Sequence, residues 1–171
     1  METLLWLIPL LPLAGFLVLA LAGARLPKSG VAVVGAGSVG LAALAAAVLA
    51  GLFYSAGSEP VIARLGSWFR AGDLSADFTL YLDQLAVVMT LIITGVGFLI
   101  HWFSTEFMAE EADYRRYFAY LNLFVAAMLM LVLADNLVLL FLGWEGVGLC
   151  SYLLIGYWHR DPDNGYAARK A

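Results

Sequence analysis

The chain has 171 residues, of which 63% are hydrophobic and only 13% are charged, and its formal net charge is −4. A soluble domain is closer to half apolar and a quarter charged. The composition therefore excludes an ordinary soluble domain and predicts a protein that crosses a membrane several times. It also gives no reason to expect a nucleic-acid partner.

Five apolar segments are long enough to cross a bilayer, which takes ~17–25 helical residues. They are predicted to be helices, because a backbone in lipid must satisfy its own hydrogen bonds. The start of the chain has no basic region typical of a cleaved signal peptide, so the first segment is predicted to be a retained helix. The segments cover residues of about 3–24, 29–54, 84–105, 117–134 and 136–158.

The longest stretch outside these segments, about 61–82, is predicted to form an external β-hairpin. Apolar and polar residues alternate from Asp77 to Asp83 with the period of a half-buried strand, and residues 61–69 are a candidate partner strand. A lone hairpin is only marginally stable in water, so we expect it to lie against another part of the assembly. The predicted fold is thus all-α and polytopic, with five transmembrane helices and a short hairpin between helices 2 and 3.

Basic residues predict the orientation. They alternate between the two sides, with seven on one side and two, Arg64 and Arg70, on the other. The positive-inside rule places the larger group in the cytoplasm and the N-terminus outside. The larger group consists of Arg25, Lys28, Arg115, Arg116, Arg160, Arg169 and Lys170.

The second segment contains GAGSVG at residues 35–40, which matches the dinucleotide-binding fingerprint in form. That fingerprint requires a preceding strand, a helix that opens at the motif and an acidic residue about 20 positions later. Here the motif lies in the middle of an uncharged apolar span. We interpret it as small residues that let helices approach closely, and we expect the chain to bind no nucleotide.

Glu145 is the only formally charged residue inside an apolar segment, near the middle of the fifth. A carboxylate at that depth is costly unless it is paired, hydrated or protonated, and such residues typically mark ion or proton pathways. Gly148, Tyr152 and Gly156 follow on the same helical face, with space for water and a phenol that is a candidate proton relay. The simpler alternative is a protonated carboxyl that only joins helices. No basic residue lies at membrane depth, so an ionised Glu145 would need a partner from another polypeptide.

Three other reactive side chains have simpler interpretations. Cys150, the single cysteine, excludes an internal disulfide and is predicted to pack within its helix. His101, near the end of the third segment, is predicted to be interfacial rather than catalytic, and His159 is predicted to be solvated. The two histidines stand far apart in sequence, so we expect no metal site.

The string LFLGWEGVGLCSYLLIGYW at residues 140–158 resembles the fifth helix of the antiporter-like membrane subunits of proton-pumping NADH:quinone oxidoreductase, respiratory complex I. The likeness is greatest to their largest member, known as subunit L in bacteria. Residues 81–108 and 114–141 resemble the third and fourth helices of that family. The same strings are similar to the large subunit of multisubunit sodium/proton antiporters.

The resemblance implies a function in a multi-pass, energy-transducing membrane, most simply the bacterial inner membrane. Glu145 matches the glutamate that pairs with a lysine on a broken seventh helix, as one element of a proton path. The implied role is proton translocation coupled to electron transfer in an oxidoreductase complex, with neighbouring antiporter-like subunits and lipid as partners and no cofactor or redox site in this chain. Family members are much longer, so we expect either a fragment or a split product.

Two alternatives remain open on the residues alone. One is the large subunit of a sodium/proton antiporter, which would extrude sodium without NADH oxidation. The other is a structural or assembly membrane protein in which Glu145 carries no proton.

The predicted orientation is tested by single-cysteine labelling in a background that lacks Cys150. A thiol at Ser67→Cys should react with an impermeant maleimide added from outside, because the hairpin is external. A thiol at Asn164→Cys should react only after the reagent is given access to the cytoplasmic side. The opposite pattern would overturn the orientation.

Overall fold

The computed structural model describes residues 1–72 and 74–171, with the side chains of Ala71 and Leu74 left aside. The elements follow one another as α1 (Glu2–Leu21), α2 (Lys28–Ser55), β1 (Val61–Ala71), β2 (Leu74–Leu82), α3 (Gln84–Phe107), α4 (Tyr114–Leu133), α5 (Leu137–Ile155) and α6 (Pro162–Lys170). A short 3-10 turn, Gly23–Arg25, joins α1 to α2. Five helices, α1 to α5, are long and apolar enough to cross a membrane. The predicted class, a helical membrane protein with one hairpin, is confirmed.

The helix ends differ from the predicted ones by a few residues, for local reasons. Helix α4 begins at Tyr114 rather than at about 117. Its first turn carries two arginines, so the apolar run does not include it although it is helical. Helix α5 ends at Ile155 rather than at about 158, where Gly156 caps it. An apolar run reflects the hydrocarbon thickness, whereas a helix ends at its capping residue, which lies inside the run for α5.

Helix α6 was not predicted, although its start has a recognisable signal. The Asp161 carboxylate accepts a hydrogen bond from the backbone N–H of Asp163, and Pro162 occupies the first helical turn. Arg169 and Lys170 lie in the last turn, where they complement the helix dipole. Because α6 is polar and short, hydropathy alone does not detect it.

Helix α4 is the centre of the bundle and packs against α1, α2, α3 and α5. Its neighbours form two apolar cores at opposite ends. One lies at the end next to the hairpin, and its buried members include Leu5, Phe53, Leu82, Leu133 and Leu139. The other lies at the opposite end, with Leu19, Val31, Met108, Tyr114, Phe118 and Tyr157.

A buried polar cluster, which we call the Asn122 cluster, lies between these cores. Ser38 Oγ donates to Asn122 Oδ1 at 2.6 Å, and Asn122 Nδ2 donates to the carbonyl oxygen of Gly35 at 3.1 Å. His101 Nε2 lies 3.4 Å from the same nitrogen, and His101 Nδ1 lies 2.7 Å from the carbonyl oxygen of Gly97. The cluster therefore ties α2, α3 and α4 together at membrane depth.

His101 differs from its predicted interfacial position. Its side chain is 1% exposed and lies six residues before the end of α3, on the side that faces α2 and α4. The helix continues past the apolar run, so a residue that looks terminal in the sequence lies inside the bundle. An isolated polar residue in an otherwise apolar span, Asn122, was the signal that a partner should exist.

The GAGSVG motif lies wholly within α2, which begins at Lys28. A side chain added at Gly35 would come within 2.6 Å of the Phe118 ring, and one at Gly40 within 2.9 Å of the Phe98 ring. These glycines thus accept aromatic rings from α4 and α3. The motif has the helix-packing role that its composition indicates.

The hairpin is fastened to the turn between α4 and α5. Strands β1 and β2 are antiparallel, and Arg64 forms an ion pair with Asp77 across them at 2.8 Å. The backbone N–H of Asp135 donates to the carbonyl oxygen of Thr79 at 3.1 Å, and Asn136 Nδ2 donates to that of Asp77 at 2.9 Å. The hairpin was expected to lie against another part of the assembly, and it lies against this chain's own helical bundle.

The closest approach of α4 and α5 gives a stability prediction. A Cβ at Gly143 would lie 2.6 Å from the backbone nitrogen of Leu131, which cannot move aside, whereas nothing lies within 4 Å of a Cβ at Gly148. Gly143→Ala should therefore cost about 1–3 kcal/mol through overpacking, and Gly148→Ala should be neutral or stabilising. Thermal unfolding in detergent, followed by size-exclusion chromatography, measures both. Equal melting temperatures would contradict the packing.

The Asn122 cluster gives a second stability prediction. Asn122→Leu keeps the approximate volume but removes the bonds between helices, so it should destabilise the chain by about 1–2 kcal/mol. Thr94→Val is the control, because Thr94 is buried and its hydroxyl bonds only to its own helix, at the carbonyl oxygen of Thr90. The same unfolding assay compares them, and a loss no greater than that of the control would show that the cluster does not hold the helices together.

Candidate functional site

Glu145 lies near the middle of α5. The Asn136 side chain caps this helix by accepting a hydrogen bond from the backbone N–H of Leu139 at 3.0 Å. From Glu145 it is about 12 Å to the start of the helix at Leu137 and about 15 Å to its end at Ile155, at 1.5 Å per residue. The carboxyl is therefore close to the midplane of a hydrocarbon layer of ~30 Å.

Helix α5 is the least covered of the five described spans. Of its most apolar 18 residues 17% are buried, against 39% for α4. Its buried side, which includes Gly143 and Cys150, faces α4. Glu145 lies on the opposite, open side. We call this the Glu145 face, and it is formed by Leu137, Phe141, Trp144, Glu145, Gly148, Tyr152 and Ile155.

The Glu145 face is apolar apart from two groups, the Glu145 carboxyl and the Tyr152 phenol. Phe141 is 61% exposed and Trp144 is 64% exposed, and both flank the carboxyl. At Gly148, one turn towards Ile155, the surface is open. A carboxyl at the centre of an apolar span is typical of a helix face that packs against further protein or lines a water-filled cavity.

The described part of the chain offers no charge partner for Glu145. The ion pairs within residues 1–72 and 74–171 are Arg64–Asp77 in the hairpin and Arg116–Asp113 at the start of α4. Neither includes Glu145, and every basic side chain of the chain lies at or beyond a helix end. A cation that pairs with Glu145 must therefore come from outside this segment.

Tyr152 lies on the Glu145 face, as the spacing predicted, but it does not form a hydrogen bond with Glu145. The two residues are seven positions apart on one helix, which is about 10 Å along its axis. A direct hydrogen bond needs heavy atoms about 3 Å apart. Tyr152, which is 48% exposed, can exchange a proton with Glu145 only through an intermediate group such as water.

No group of three or more potential metal ligands lies together in the part of the chain that the structure describes. Cys150 is buried on the same side of α5 as Gly143, in agreement with its predicted packing role. His159 is exposed beyond the end of α5, where its Nδ1 lies 3.4 Å from the guanidinium of Arg116. Away from the helix ends, Glu145 is the formally charged side chain of the five described spans, and Tyr152 lies two turns from it.

Comparison with known proteins gives the chain relatives over almost its whole length. Residues 68–118 match the family model described as NADH-ubiquinone oxidoreductase (complex I), chain 5 N-terminus. Residues 134–171 match the model described as NADH:quinone oxidoreductase/Mrp antiporter, TM. Both models cover transmembrane parts, and the second includes Glu145.

Named relatives agree with these models. NADH-quinone oxidoreductase subunit L of Escherichia coli (strain K12) is 51% identical over 95% of this chain and 26% of its own length. Subunit L of Pseudomonas aeruginosa is 53% identical over 95% of this chain and 27% of its own, and that of Mycobacterium tuberculosis is 47% identical over 97% and 26%. The chain therefore spans about a quarter of the length of these relatives.

A solved structure has the same fold. The structure of the Mrp complex from Dietzia sp. DQ12-45-1b aligns with a TM-score of 0.65 and 30% sequence identity, over 86% of this chain and 16% of that one. The fold of most of this chain is thus a known architecture. By sequence and by structure, the chain belongs to the NADH:quinone oxidoreductase/Mrp antiporter family of membrane subunits, alongside subunit L.

Proposed function

We propose that the chain is the N-terminal part of a proton-translocating, antiporter-like subunit of NADH:quinone oxidoreductase, and that Glu145 is its proton-transferring carboxyl. The observation that carries the proposal is the position of Glu145, at mid-membrane on the open side of the span with the smallest buried share among the five described. The identity of 51–53% to subunit L of two bacteria supports the choice of complex.

Glu145 can act by changing its charge when a cation approaches or leaves. Its carboxylate is stable in a low dielectric only beside a positive group. When that group moves away, the isolated carboxylate takes up a proton, and when it returns, the proton is released. The resemblance to the family assigns the cation to a lysine on the seventh helix, beyond this segment.

The open surface of α5 supplies the geometry for such a partner. Gly148 leaves room beside the carboxyl for a side chain or water, and Phe141 and Trp144 exclude bulk solvent once a helix covers them. Tyr152 lies two turns towards the cytoplasm and would contribute through water. We place the protein in the bacterial inner membrane, next to other antiporter-like subunits, with all redox cofactors in other subunits.

A second function is favoured by one observation. The structure of the Mrp complex shares the fold at a TM-score of 0.65. In a sodium/proton antiporter, Glu145 would carry the proton in exchange for sodium. NADH-driven proton uptake that does not depend on sodium supports the first function, and sodium efflux without NADH supports the second.

The proposal is tested by a substitution at Glu145 that removes the ionisable proton but keeps the shape of the side chain. In the full-length subunit within its complex, Glu145→Gln should assemble normally and reduce pumping through this subunit by about tenfold or more, since proton-transfer groups typically contribute ~10²–10⁴ in rate. Glu145→Asp should retain more activity, because the carboxyl survives at a shorter reach. NADH-driven proton uptake in proteoliposomes measures both variants.

Glu110→Gln is the matched control, since Glu110 is an exposed carboxylate in the loop between α3 and α4. It should pump like the parent protein. In the same assay, Tyr152→Phe reports on the phenol. Parental pumping by an assembled Glu145→Gln complex would reject proton transfer and leave Glu145 as a carboxyl that joins helices.

A further inference from the structure

The side of α2 that faces away from the bundle carries a branched groove. One arm, with a volume of about 600 Å³, runs between α2 and α3 and is lined by Ala32, Ala36 and Trp102. The other arm, of about 770 Å³, runs between α2 and α1 and continues to Leu44. The arms share Val33, Gly37 and Phe98, so they meet at one point on the α2 surface. We call this the α2 groove.

The groove exists because small residues of α2 leave a hollow beneath larger neighbours. Nothing lies within 4 Å of a Cβ placed at Gly37, which forms the floor where the arms meet. Val33 stands between the arms as a ridge and is 71% exposed. An occupant that fits must be apolar and must divide in two around this ridge.

The length of the groove matches one leaflet of a bilayer. Lys28, at its mouth, and Leu44, at its deep end, are about 24 Å apart along α2 at 1.5 Å per residue. Half a bilayer, headgroups included, is ~20–22 Å thick. The groove therefore reaches from the cytoplasmic headgroup region to about the midplane.

The mouth of the groove carries both signs of charge. Lys28 Nζ is held in place by a hydrogen bond of 2.6 Å to the carbonyl oxygen of Ala109, and the Glu106 carboxylate lies on the opposite wall. Neither side chain takes part in an ion pair within the described residues. The indole of Trp102 lies between them and the apolar arms, at the depth where tryptophan is enriched in membranes.

We propose that the α2 groove binds a zwitterionic glycerophospholipid of the cytoplasmic leaflet. Its phosphate would lie at Lys28 and its ammonium at Glu106, and its two acyl chains would follow the two arms on either side of Val33. A purely anionic headgroup would meet the Glu106 carboxylate at like charge. A transmembrane helix is a single rod about 10 Å wide and would cover the Val33 ridge without filling both arms.

The acyl part of the site is tested by filling the floor of the groove. The full-length subunit in its complex is reconstituted with phosphatidylethanolamine that carries a photoactivatable diazirine on one acyl chain. Crosslinks are expected in peptides that cover residues 32–44 and 95–102. Gly37→Leu should lower their yield several-fold, because the new side chain occupies the junction of the arms.

Gly51→Leu is the matched control, since Gly51 lies on the same helix and is equally open, with nothing within 4 Å of an added Cβ. It should leave the crosslinks unchanged. Equal yields in the two variants would overturn the proposal. If Gly37→Leu blocks assembly while Gly51→Leu does not, the groove is a protein interface and the proposal is likewise overturned.

The headgroup part is tested by competition. Unlabelled phosphatidylethanolamine should displace the probe better than phosphatidylglycerol does, and Glu106→Gln should reduce this difference by removing the repulsion of the anionic headgroup. If Glu106→Gln leaves the preference for phosphatidylethanolamine unchanged, the proposed headgroup site at Lys28 and Glu106 is overturned. Crosslinking does not require pumping, so these outcomes are independent of the role of Glu145.

Discussion

The bundle depends on the hydrogen bonds that the Asn122 carboxamide forms between helices. A carboxamide in lipid is stable only when its donors and acceptor are used, and those of Asn122 bond to Ser38 and Gly35 of α2 and lie within reach of His101 of α3. This fixes the rotation of α4 about its axis. Since α5 is packed on α4 through Gly143, the direction of the Glu145 face follows from the same bonds.

The Asn122 cluster and Glu145 have opposite surroundings. The Asn122 cluster is closed, with Asn122 0% and His101 1% exposed, and its donors have acceptors. Glu145 is exposed and forms no ion pair within the described residues. A group that must change its charge needs an approach for protons and a movable counter-charge, whereas a group that joins helices needs neither. This contrast separates the proposed transport residue from the structural ones.

Much of the fold could be predicted from the sequence because lipid allows few solutions. Long apolar runs had to be helices, and the alternation around Phe78 had to be a strand. The mid-membrane position of Glu145 followed from counting residues. The polar helix α6 could not be found by hydropathy, and the burial of His101 depends on which helices are neighbours. The described residues hold no ion-pair partner for Glu145, so the proposed partner could be derived neither from this sequence nor from this structure.

The hairpin's attachment to the α4–α5 turn has a consequence for biogenesis. The carbonyl groups of Asp77 and Thr79, which accept hydrogen bonds from Asn136 and Asp135, are synthesised some sixty residues earlier than their donors. Because a chain folds from its N-terminus as it is made, the hairpin is synthesised before the turn that it holds. The two hydrogen bonds tie the start of α5 to the hairpin. The position of the hairpin therefore constrains how deep α5, and with it the Glu145 carboxyl, can lie.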